Sequence, residues 1–91
     1  MNKINLRKQY NSDFSQLRKI INSWELFDGA QNDEFDGLNN KILSHLYNST
    51  DFEKLSRVIS GELTKNYGIF YDDFYVQKLA EEVSEWWNKK S

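Results

Sequence analysis

The chain has no cysteine, no proline, a single histidine and only four glycines. Without cysteine there is no disulfide, no thiolate nucleophile and no thiolate-bound zinc, so the scaffold on which small secreted domains depend is missing and a reducing, cytoplasmic setting is expected. The lone histidine, His45, has no second histidine or cysteine at ligand spacing, and no metal site is expected. Its neighbour Ser44 points about 100° away on a helix, too far round to form a nucleophile–base pair. The glycines, at 29, 37, 61 and 68, are too scattered for either of the common phosphate-cradling loops. DGAQNDEFDG has acids and glycines but not the ligand spacing of a calcium loop. No stretch approaches the eighteen or so apolar residues of a membrane span, and MNKINLRKQY lacks the apolar segment of an export signal. Catalysis, cofactors, metals and membrane insertion are therefore not expected.

What the chain does have is aromatic rings and charge. Its 91 residues suit one domain; 38% are hydrophobic, 29% charged and 15% aromatic. A domain this small buries only about 60–65% of its unfolded surface, so large rings and aliphatic side chains must carry its stability. The net charge of −2 is unevenly laid out. Lys3, Arg7, Lys8, Arg18 and Lys19 crowd the first twenty residues, while residues 21–40 hold Glu25, Asp28, Asp33, Glu34 and Asp36 and no base. A broad basic face of the kind that binds nucleic acid is absent, so nucleic acid is not an expected partner.

Periodicity predicts helices throughout. Leu6, Tyr10, Phe14, Leu17, Ile21 and Trp24 recur at spacings of three and four, with Ile20 beside them, which holds one helical face. Asn11-Ser12-Asp13 can interrupt that face, with Asp13 as N-cap and Gln16 completing a capping box. The expected helix runs from Asp13 to Trp24, and residues 1–12 stay open as its extension or as a separate short, flexible element. WELFDGAQND loses the period and reads as a structured loop. Phe35, Leu38, Ile42, Leu43 and Leu46 then form a second stripe, in which Gly37 costs about 1 kcal/mol relative to alanine and so points to close packing. Thr50 and Glu53 fit a capping box for a third helix whose buried face is Phe52, Leu55, Val58, Ile59 and Leu63. Tyr67-Gly68 reads as its left-handed stop. Asp72 or Asp73 caps a fourth helix with the stripe Val76, Leu79, Ala80, Val83, Trp86 and Trp87. No segment alternates with period two. The expectation is an all-α single domain, 1–91, of about four helices in bundle-like or orthogonal packing.

Two clusters stand out as binding candidates. Asp33, Glu34 and Asp36 open the second helix, and acids there also serve the helix dipole and its free N–H groups. YGIFYDDFY, residues 67–75, packs five rings around Asp72 and Asp73. On a helix starting near Asp72, Tyr75 and Val76 straddle the buried arc and Phe74 lies off it. Phe70 and Tyr71 fall in the preceding turn. The rings cannot all enter one small core, so the stretch is either the plug at the end of the bundle or an exposed recognition surface.

The run WELFDGAQNDEFD resembles a segment found in a family of small uncharacterised helical proteins of bacilli. In that family a helix ends in tryptophan, a short loop follows, and an Ala-x-x-Asp-Glu-aromatic-Asp run opens the next helix. Trp24, Ala30, Asp33, Glu34, Phe35 and Asp36 stand at those positions. Glu25, Leu26 and Gln31 replace prolines frequent in the family, and Phe35 replaces a frequent tyrosine. The likeness runs loosely from Phe14 to Trp86 and implies a helical fold without an activity. In size, acidity, lack of cysteine and tyrosines beside acids, the chain is also similar to bacterial immunity proteins of the colicin and contact-dependent inhibition types. That likeness implies a non-catalytic partner for a toxin such as a nuclease, contacted through Asp33, Glu34, Asp36, Tyr71, Asp72, Asp73 and Tyr75. The alternative is a regulatory or adaptor domain that is monomeric or pairs with itself through the exposed rings.

Overall fold

The computed structural model describes residues 3–26 and 29–90, with the backbone alone for residues 3–6. Asp28 and the side chains of Lys3 and Leu6, which figure in the sequence reading, lie outside this description. The described residues form four helices: α1 (Lys3–Ser23), α2 (Asp36–Tyr47), α3 (Phe52–Tyr67) and α4 (Asp73–Lys90). No strand occurs among the described residues. No helix among them is long and apolar enough to cross a membrane.

The core follows the stripes. Leu17 and Ile21 of α1 pack with Phe35 and with Leu38, Ile42, Leu43 and Leu46 of α2, Leu55, Ile59 and Leu63 of α3, and Val76, Leu79, Ala80 and Val83 of α4. Each of these side chains larger than alanine contributes about 1.5–3 kcal/mol by leaving water. Successive helices pack on one another. Trp24, Trp86 and Lys90 then tie α4 back to the α1 region, through Trp24 to Glu82, Trp86 to Gln16 and Lys90 to Asp13. The result is a closed, four-helix all-α bundle.

Three local expectations are corrected. α1 does not break at Asn11-Ser12-Asp13 but runs unbroken over 21 residues. Asp13 is no N-cap: it is 1% exposed, accepts a hydrogen bond of 2.6 Å from the Tyr47 hydroxyl and is ion-paired with Lys90. Gln16 donates to Ser12 Oγ and not to backbone. The cap of α3 is Asp51, whose Oδ1 accepts from Lys54 N at 2.9 Å, while Thr50 Oγ1 lies 2.9 Å from His45 Nδ1. Phe52, expected inside, is 38% exposed.

Two other signals hold. Gly68 takes φ 64° and ends α3 as a left-handed helix stop, with Ile69 N bonded to Leu63 O at 2.9 Å. At Gly37 a Cβ would stand 3.3 Å from the Tyr67 hydroxyl, which is the close packing its presence in a helix implied.

Candidate functional site: an aromatic and acidic pole

Asp72 builds the first turn of α4 by accepting from Tyr75 N at 2.8 Å. One turn apart, Tyr71 and Tyr75 stack with centroids 4.4 Å apart and planes 26° from parallel. Their hydroxyls turn inward. Tyr71 donates to Leu26 O, and Tyr75 Oη stands 3.5 Å from Trp24 O. The Trp24 ring meets Tyr75 edge-on at 5.2 Å. These two tyrosines therefore fasten the α1–α2 connector onto α4, and both are half-buried. Burial pushes the Tyr75 phenol above its ordinary range, and the Tyr71 oxygen adds to the shift.

With the tyrosines engaged, other rings of the stretch face water. Phe70 is 78% exposed and Phe74 68%. Both readings of YGIFYDDFY are thus realised by different residues: Tyr71 and Tyr75 plug the bundle end, Phe70 and Phe74 do not. Lys78 lies over the Phe74 ring at 5.2 Å and also pairs with Glu81 at 3.6 Å.

The first acidic cluster meets the end of α3 at Tyr67. Its ring packs on Phe35 at 5.0 Å, and its hydroxyl accepts from Leu38 N at 3.2 Å. The Tyr67 phenol is pushed up chiefly by burial, in part offset by that N–H, and further raised by the field of Glu62, Glu34 and Asp36. Asp36 itself is spent inside the molecule. Arg18 holds it with Nε 3.0 Å from Oδ1 and a second guanidinium nitrogen 2.5 Å from Oδ2, which raises the Arg18 pKa. Asp33 and Glu34 sit in the turn before α2, where Asn22 Nδ2 donates to Asn32 O at 3.0 Å and fixes the connector to α1. Among the described residues Asp33, Glu34, Asp72 and Asp73 are exposed and make no ion pair.

Of the seven candidate contact residues, then, Asp33, Glu34, Asp72 and Asp73 are exposed acids without an ion pair, Asp72 also capping α4, while Asp36 is committed to Arg18, and Tyr71 and Tyr75 are half-buried fasteners. Sequence reasoning missed Phe70 and Phe74 as the outward rings, although Phe74 already fell off the buried arc of α4. It also missed the Asp13–Lys90–Tyr47 cluster, for which no local signal exists. The histidine binds Thr50 and lies apart from this pole. Among the described residues no three His, Cys, Asp or Glu side chains are grouped to hold a metal ion. Comparison with protein-family models, curated proteins and solved structures finds no match to this chain. What the pole does must be argued from its own chemistry.

Proposed function

We propose that the chain is a non-catalytic binding protein, an immunity protein or antitoxin that neutralises a toxin by covering its substrate surface. The observation that carries this reading is the pair of outward rings, Phe70 and Phe74, flanking the exposed Asp72 and Asp73, neither of which is ion-paired among the described residues. Exposed rings of this size gain by burial in a partner's pocket, and free acids around them select a cationic partner and speed its encounter. A nuclease offers that surface, because its substrate channel must attract phosphates. A cytoplasmic site of action suits a cysteine-free chain of this kind.

The test is to co-express the chain with the product of each gene flanking its own. One neighbour should be toxic alone, harmless together with this chain, and recovered with it in equal amount. Phe74→Ala should then weaken the complex by about 2 kcal/mol or more, with thermal stability held. Tyr75→Ala should lower the melting temperature, because it unfastens the Trp24 connector. If neither neighbour is toxic, or if Phe74→Ala leaves the dissociation constant unchanged, the reading or its anchor falls.

A further inference from the structure

The outer face between α3 and α4 holds an open groove of about 450 Å³ whose wall on the α3 side includes Ser56, Ser60 and Gly61. Gly61 lies in the interior of α3, where glycine costs about 1 kcal/mol relative to alanine. At Gly37 the same cost has an internal reason, the Tyr67 hydroxyl. At Gly61 it has none: a Cβ there would meet no atom within 4 Å, and the backbone is ordinary helix. The missing side chain leaves the α3 backbone open to approach from outside.

The charges on the groove have no internal partner either. Arg18, Lys41, Lys78 and Lys90 are each paired with an acid. Arg57 is one of several cations among the described residues that are not, and it lines the groove together with Glu53 one turn before it and Asp73 on the α4 wall, which are likewise exposed and without an ion pair. Asp73 belongs to the pole described above as well; on the groove side Arg57 adds a charge of the opposite sign. A surface with both signs, small residues on its wall and an exposed Phe52 beside them is complementary to a copy of itself. A two-fold axis places each patch against its own image, so a single cation can meet the acids of the facing copy.

We infer that the α3–α4 groove is the seam of a symmetric homodimer in which the two α3 helices cross at Ser60 and Gly61. This goes beyond the toxin-binding reading; the two surfaces share Asp73, and the mass of the chain alone, without a toxin, tests the seam apart from that reading.

Sedimentation equilibrium of the full chain tests the inference. The wild type should show twice the chain mass. Arg57→Glu leaves only acids on the groove, and the double variant Glu53→Arg/Asp73→Arg leaves only bases, so each alone should be monomeric at concentrations where the wild type pairs. Mixed in equal amounts, the two should restore a dimer, because every contact again joins opposite signs. Circular dichroism should show both variants folded, as expected for exposed positions. Gly61→Ala should melt at a higher temperature than the wild type when dilute, yet dimerise at least about tenfold more weakly. A wild type that stays monomeric at millimolar concentration overturns the inference. So does a dimer that these variants leave unchanged, or a mixture that stays monomeric.

Discussion

Tyr67 supplies with one hydroxyl what the start of α2 lacks in its own sequence. Phe35 occupies the N-cap position and has no acceptor for the free N–H groups of the first turn. Leu38 N therefore donates across the molecule to Tyr67 Oη. Tyr67→Phe removes that acceptor and strands a partly buried N–H, which should cost about 1 kcal/mol and appear as a lower urea midpoint with an unchanged slope. An unshifted midpoint would mean that water replaces the phenol. The phenols also set a pH limit. Tyr47, Tyr67 and Tyr75 are all raised from 10.0, each chiefly by burial, and Tyr47 also by its hydrogen bond to Asp13. A raised phenol favours the protonated folded state, so its contribution is complete below the ordinary phenol pKa and is lost as pH climbs through the raised value. The ultraviolet titration of tyrosine should thus show a late phase above pH 10 that coincides with loss of helix. A titration in which all phenols ionise together, with helix intact, would contradict this.

Among the elements, α3 shows how local chemistry and tertiary contact divide the work. Asp51 alone caps it, and Glu53 does not reach back to complete a box. In dilute, monomeric chain Asp51→Ala should cost about 1 kcal/mol of stability, whereas Glu53→Ala should leave the melting temperature nearly unchanged. Equal losses would restore the capping box inferred from Thr50 and Glu53. The one-residue error is small because Thr50 and Asp51 are both good caps, and only the pull of His45 on Thr50 separates them. Helix count, core stripes and the Gly68 stop were legible because they depend on period and on backbone sterics, which neighbours in sequence decide. Asp13 was not legible. An Asn-Ser-Asp run looks the same whether its acid caps a helix or turns inward, and what turns it inward is Tyr47 and Lys90, on other helices. The pole was half legible for the same reason. Ring spacing showed that the aromatics of 67–75 could not all be buried, but the tyrosines go in because Leu26 and Trp24 offer them carbonyls, and the phenylalanines stay out because they have no hydroxyl to give.

At the scale of the whole molecule the open question is what closes α4 onto α1, since the chain packs mainly between consecutive helices and spans 41 × 28 × 21 Å. The Asp13 cluster is the strongest closure. Asp13 sits inside, Tyr47 donates to it from α2, and Lys90 reaches it from the last turn of α4 while lying 5.6 Å from the centroids of both Trp86 and Trp87. The Tyr47 ring in turn meets Trp87 edge-on at 5.2 Å and stacks beside Tyr10 at 6.0 Å, so one ion pair is roofed by rings from three helices. A carboxylate this deep is expensive without its cation, and breaking a buried pair on one side typically costs about 3–5 kcal/mol. Lys90 is partly exposed, which places the expected loss for Lys90→Ala at the lower end, about 3 kcal/mol. Replacing both partners removes the stranded charge, so Asp13→Leu/Lys90→Leu should be more stable than Lys90→Leu alone. Chemical denaturation of the two single variants and the double closes the cycle. If the double variant is no better than Lys90→Leu, the pair is not what closes the bundle, and the indole contacts of Trp86 with Gln16 and Trp24 with Glu82 hold α4 in place instead.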